Sequence, residues 1–262
     1  MWLRYIFHNL AGIPIINPQY IQAFLLNQWL YHFGSKKMNV SNKSAIIFAP
    51  HQDDETFGCG GLIALKTQLK VPVAIVFMTD GQRSHLHTPW IKPPDNLIET
   101  RRQEAITALE ILGVRQSAIH FLNLVDGTLN ILTKEQNQNI IKRLVDFLQI
   151  YQPEEVYVPH QKDNHTDHES TYKLVKFAIE QSKMQIKLLQ YPIWMFWESP
   201  LFIKIKPRDL TNAYRLEIQS VMERKKQAIS AYKSQSSILP ASFVKGFMKK
   251  SYEIFFLDSW SK

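Results

Sequence analysis

The chain has 262 residues, a formal net charge of +8 and a single cysteine, Cys59. One cysteine forms no internal disulfide and builds no cysteine-rich zinc site, so any metal must be held by nitrogen and oxygen, for which nine histidines are available. Hydrophobic content of 45% and charged content of 21% exclude wholesale disorder, and no basic run exceeds Glu223-Arg224-Lys225-Lys226, so no nucleic-acid partner is expected.

The chain opens with Met1-Trp2-Leu3-Arg4-Tyr5-Ile6-Phe7, and Tyr20 to Phe33 is rich in aromatic and aliphatic residues. Pro14, Asn17, Pro18, Gln19, Gln22, Asn27 and Gln28 interrupt it, which fits neither a spanning helix nor a signal peptide. The segment reads as amphipathic and packed on the body, with peripheral membrane contact and partner contact as the alternatives. Residues 1–43 are therefore set apart from a domain over residues 44–262. A cytoplasmic location is expected, with membrane association as its variant.

Ala45 to Ala49 and Val73 to Thr79 are continuous apolar runs, as in strands buried on both faces. Helical spacing follows from Leu62 to Leu69. A polar loop spans Gln82 to Asn96, long enough to be functional, and its His85 and His87 read as flexible surface residues, with a lid over the substrate as the alternative. Leu97 to Leu112 reads as a helix stopped by Gly113. A strand is expected over Ala118 to Leu122. Thr133 caps a helix running to Tyr151, with Gln136 completing a capping box. Strands follow at Val156 to Pro159 and Ile186 to Tyr191, around a helix from Asp167 to Gln181. Beyond Pro192 the expectations are a strand at Leu201 to Ile205, a helix from Leu216 to Tyr232, and a strand from Tyr252 to Phe256. Strands alternating with helices predict an α/β fold, a Rossmann-like parallel sheet with helices on both faces.

In such folds ligands bind outside the carboxyl ends of the strands. Two polar clusters stand there, His51-Gln52-Asp53-Asp54-Glu55 and His160-Gln161-Lys162-Asp163-Asn164-His165-Thr166-Asp167-His168. Adjacent acids repel one another unless a cation or hydrogen bonds offset their charge. Histidine nitrogen and carboxylate oxygen suit a divalent metal that activates water. Either cluster alone also resembles an ordinary helix start. Together, each after a predicted strand, they predict a metal site at one sheet edge.

The first cluster closely resembles the His-Pro-Asp-Asp-Glu signature of the PIG-L/LmbE-like deacetylases, with Gln52 where proline is usual. His165-Thr166-Asp167-His168 is similar to that family's His-x-Asp-His signature. Thr79-Asp80-Gly81, Arg101-Arg102-x-Glu104, Lys226-x-Ala228 and Tyr232-x-Ser234-Gln235 extend the resemblance over Ala45 to Gln235. It implies His51, Asp54 and His168 as ligands of zinc, with another divalent metal such as Fe2+ as the variant. It implies Asp53 as general base and His165 as the group that stabilises the tetrahedral intermediate or protonates the amine. Asp167 would orient His165. The implied reaction is hydrolysis of an N-acetyl group on an N-acetylglucosamine-containing substrate, a sugar or glycoconjugate. Arg83, Arg101 and Arg102 are candidates to hold substrate, and Asp80 to shape the pocket floor. Helix-start and turn roles are the competing readings. Another metal enzyme, such as a non-haem iron oxygenase, and a non-catalytic sugar-binding module are the other functional classes. Oligomeric state is not legible.

Overall fold

Alternation along the strands assembles the two sides of the sheet. In the computed structural model, which describes residues 18–198 and 205–258, β2 (Ala45–Ala49) and β3 (Val73–Thr79) are buried at every position. Ala45, Ile47 and Ala49 face one apolar cluster with Ile75 and Phe77. Ile46 and Phe48 face a second with Val76 and Met78. Such two-sided burial is the signature of a sheet covered on both faces. α2 (Asp54–Gln68) and α3 (Leu97–Ile111) cover the first side. α4 (Lys134–Tyr151) and α5 (Thr166–Ser182) cover the second.

The sheet has eight strands in the order β1-β7-β8-β6-β5-β2-β3-β4. The remaining strands are β1 (Ser35–Met38), β4 (Ile119–Leu124), β5 (Glu155–Pro159), β6 (Lys187–Tyr191), β7 (Ala213–Glu217) and β8 (Tyr252–Leu257). The expected parallel order holds through β4, β3, β2, β5 and β6. It breaks at β8, which runs antiparallel to both β6 and β7. The chain proceeds from β2 outward through β3 and β4, then returns to β2's other side with β5. The loops after β2 and β5 therefore part at a topological switch, the usual place for a ligand.

Gly61 lets α2 approach the far half of the sheet, because a Cβ there would sit 2.5 Å from the Ile218 side chain. The capping box predicted at Thr133 and Gln136 is present in both directions. The helix expected from Leu216 begins only with α7 (Met222–Ala231), since Leu216 pairs with Glu253 of β8 and Met38 of β1. Ladder bonds on both sides outweigh the helical spacing there. Of the strand expected at Leu201 to Ile205, Leu201 to Lys204 lie outside the described residues. α1 (Pro18–Trp29) lays Ala23 and Leu26 on Ile254 and Phe256 of β8 in a third apolar cluster. After it come α6 (Met195–Glu198), α8 (Lys233–Ser236) and α9 (Ala241–Lys249) to complete the helices. No helix among the described residues is long and apolar enough to cross a membrane.

Candidate metal and catalytic site

β2 ends at Ala49 and delivers His51 to the switch point. Pro50 O accepts from Thr79 N at 3.0 Å and from Thr79 Oγ1 at 2.8 Å, which ties this turn to β3. Asp53 caps α2 with φ 139°, a conformation foreign to side-chain-bearing residues that costs about 1–3 kcal/mol. Its N–H donates to Glu55 Oε2 at 3.1 Å. This backbone turns neighbouring carboxylates to different partners. Asp53 Oδ1 lies 3.6 Å from the Arg101 guanidinium. Asp54 Oδ2 lies 3.2 Å from His51 Nδ1 and 3.2 Å from His168 Nε2, and accepts from His51 N at 3.0 Å.

Burial and that difference in company drive the two acids apart. Burial lifts the Asp53 carboxyl to about 8, with Asp54 adding to the rise and Arg101 opposing it. Burial acts upward on Asp54 too, but the charges of His168 and His51 beside it hold it far below the usual range.

α5 supplies the opposing wall. His168 Nδ1 donates to Asp163 Oδ2 at 2.7 Å, and the Asp163 carboxylate also accepts from the amides of Ile193, Trp194 and Met195. This network, which assigns the tautomer, leaves His168 Nε2 facing Asp54, buried and without a hydrogen bond. Burial works against the His168 charge, yet Asp54 and Asp163 raise its pKa to about 9. His165 is the N-cap of α5, its Nδ1 accepting from Asp167 N at 3.3 Å. Burial, reinforced by the His168 and His51 charges, lowers its pKa to about 3.

The Asp167 carboxylate is not turned to His165. It accepts from Gly127 N at 2.7 Å and Leu129 N at 3.1 Å, and approaches His51 Nε2 at 3.3 Å. Asp126 Oδ1 meets the same nitrogen at 3.1 Å, and Asp126 Oδ2 accepts from Arg83 N at 2.9 Å. His51, His165 and His168 each place one ring nitrogen within 4.8 Å of the others; His51, Asp126 and Asp167 form a second such group. A buried imidazole nitrogen with no hydrogen bond, facing a carboxylate, is the donor set a divalent cation completes.

The other candidates take up several positions. Arg101 is 2% exposed and donates to Gly81 O and Gln52 O, clamping the two loops that carry the site. Gly81 holds φ +68°, and a Cβ there would meet Gln52 Oε1 at 2.5 Å. Gln52, in the usual proline position, is buried and donates to Thr79 O at 2.7 Å. Arg102 lies 4.4 Å over the Phe121 ring and donates to Asn123 Oδ1. Asp80 accepts from the amides of Gln82 and Asp126 and so braces the loops after β3 and β4. Arg83 is exposed beside Gly127. His85 is a correction: it is buried at 7%, its Nδ1 3.1 Å from Ser84 Oγ, because the loop folds back as a short helical turn. Asp126 and Asp163 carry no role in the sequence reading. Asp126 resembles a turn residue before Gly127, although its place just beyond the carboxyl end of β4 was a usable signal.

Fold and cluster together define an α/β protein with a His/Asp cluster suited to a divalent cation at a topological switch. Residues 46–179 match the sequence model of the GlcNAc-PI de-N-acetylase family, PIG-L, and the chain belongs to that family. With it the chain falls among the deacetylases, enzymes that hydrolyse an amide bond. It is 27% identical over 174 residues to the uncharacterized deacetylase YaiS of Escherichia coli K12, covering 64% of this chain and 85% of that one. It is 27% identical over 141 residues to the probable N-acetyl-alpha-D-glucosaminyl L-malate deacetylase 2 of Bacillus subtilis, covering 53% of this chain and 62% of the relative. Among solved structures, the N,N'-diacetylchitobiose deacetylase of Pyrococcus horikoshii superposes with a TM-score of 0.59 at 21% identity, over 90% of this chain and 92% of the other.

Proposed function

We propose that the protein is a zinc-dependent deacetylase that removes the acetyl group from an N-acetylglucosamine unit. The observation that carries the metal assignment is the convergence of His51 Nδ1 and the buried His168 Nε2 on Asp54 Oδ2, each at 3.2 Å. His51, Asp54 and His168 would hold the cation, with Asp163 fixing the His168 ring through Nδ1. Lewis acidity toward water and toward the acetyl carbonyl is what a divalent cation supplies when bound there.

The chain's own residues perform the proton transfers. Asp53 accepts the proton of the attacking water. A carboxyl lifted toward neutrality by burial and checked by Arg101 suits a group that takes and returns a proton near neutral pH. His165 is neutral, and because its Nδ1 accepts from Asp167 N its proton sits on Nε2. That N–H is a donor for the oxyanion that develops on the acetyl carbonyl. Proton return to the departing amine falls to Asp53. Asp126 and Asp167 hold the His51 ring through Nε2, and Asp167 also ties down the loop at Gly127. Substrate specificity for N-acetylglucosamine draws support from the family description and from the sugars named for the Bacillus and Pyrococcus relatives.

The test is acetate release from a panel of N-acetylglucosaminides, using chelator-treated protein resupplied with zinc or Fe2+. Zinc-restored release is expected, and Asp54→Asn should abolish both metal retention and release. Release with no metal from no substrate removes the deacetylase reading. Restoration by Fe2+ and not by zinc removes the zinc assignment alone.

A further inference from the structure

A groove of about 440 Å³ runs between α1 and α9, on the side of the molecule where β8 and β7 extend the sheet. Phe24, Phe57, Phe196, Phe243 and Phe247 line it, with Lys249 and Lys250 in the same wall. α1 carries apolar side chains on both faces, with Gln28 exposed among the outward ones. Its inner face buries Ala23 and Leu26, while Ile21, Leu25 and Trp29, spaced four residues apart, are 41%, 57% and 45% exposed. Phe24 is 53% exposed beside the groove, and Phe33 just beyond the helix is 82% exposed. Soluble surfaces rarely present so many large apolar side chains together, and such a patch marks an interaction surface.

The exposed charges on α9 and β1 are all basic. α1 and α9 contain no Asp or Glu. Lys245 and Lys249 stand one turn apart on α9 and are exposed, and Lys36 and Lys37 are exposed on β1 immediately after Phe33. Glu253 also borders the groove but is paired with Lys225 at 2.6 Å. Lys250 Nζ lies 5.0 Å over the Phe247 ring.

We propose that α1 and α9 form a docking face for a bilayer containing anionic phospholipid. The outward residues of α1 enter the acyl boundary and the α9 lysines lie at the headgroups. Aromatic side chains beside a basic rim are the composition that interfacial helices use, and apolar burial and lipid charge both add to binding. The face is independent of the catalytic reading, since none of its residues belongs to the metal cluster.

The experiment is co-sedimentation of the full chain with phosphatidylcholine vesicles, with and without phosphatidylglycerol. Wild type should sediment with the phosphatidylglycerol vesicles and stay in solution with phosphatidylcholine alone. Lys245→Gln and Lys249→Gln should each weaken binding about five-fold. Phe24→Ser combined with Leu25→Ser should abolish it while the circular dichroism melt is retained, because both side chains are exposed. Wild type left in solution with anionic vesicles overturns the proposal, as does a Phe24→Ser, Leu25→Ser variant that binds like wild type. Conversion of a vesicle-indifferent dimer to monomer by that variant also overturns it and assigns the face to a second copy of the chain.

Discussion

Two of the buried charge clusters that meet α2 are built on opposite plans. In the middle of α2, the Glu253 carboxylate accepts from Gly61 N at 2.6 Å, Leu62 N at 2.8 Å and Lys225 Nζ at 2.6 Å, and Lys225 also donates to Phe57 O. Cation, anion and buried backbone groups of the helix satisfy one another, so this cluster is closed and acts as a rivet between α2, α7 and β8. At the N-terminus of α2, several carboxylates crowd two histidines, and His168 Nε2 is left with no hydrogen bond. That cluster is open, and a further positive charge would complete it. Buried ions cost several kcal/mol each unless fully paired, so an open cluster beside a closed one marks where the chain trades stability for chemistry.

The largest expected effects test each plan directly. Asp53→Asn should lower turnover by ~10²–10⁴-fold while bound metal, measured by elemental analysis, is unchanged. An unaltered rate would remove the base role. Lys225→Met should cost about 3–5 kcal/mol in denaturant unfolding, because it strands the Glu253 carboxylate in the core. Adding Glu253→Gln should recover much of that loss. A single variant that costs almost nothing would show that the second cluster is not the rivet its bonds describe.

A pH titration sharpens the contrast through a third group. His160 is buried against Phe256 with its rings 4.8 Å apart, and burial lowers its pKa to about 4. The unfolded histidine takes its proton first, at about 6.5. Stability from the neutral buried ring is therefore present above that pH and is lost as pH falls through the folded value, about 3 kcal/mol in all by linkage. His160→Gln should flatten the acid side of the stability profile; an unchanged slope would assign the loss elsewhere. The smallest effect is metal linkage. Zinc at a hundred times its Kd should raise the unfolding free energy by ~2.7 kcal/mol in wild type and not in Asp54→Asn. Equal stabilisation of both proteins would place the cation outside the open cluster.

Much of this was legible beforehand for plain reasons. β2 and β3 declare themselves because strands covered on both faces need unbroken apolar runs, and the Thr133 cap because its bonds close within four residues. Both polar clusters stand at strand ends that periodicity alone locates. β7 was missed because its AYRLE sequence mixes charge with apolar residues and becomes a strand only between β8 and β1. Asp126 was hidden for a related reason. It is 43 residues from Arg83 and 75 from His51, its partners, and only its place just beyond β4 distinguishes it from a turn aspartate.

By itself the sequence determined the chemistry at hand: one cysteine, hence nitrogen and oxygen donors, set out in two clusters after two strands. Tertiary structure decided which atoms meet. It set neighbouring Asp53 and Asp54 to opposite ionisation tendencies, turned the Asp167 carboxylate to His51 and the Gly127 loop, and left His168 Nε2 facing Asp54. The physical reason is that residue type and local backbone preference are properties of the chain. Burial and the direction of a side chain are set by partners a hundred residues away.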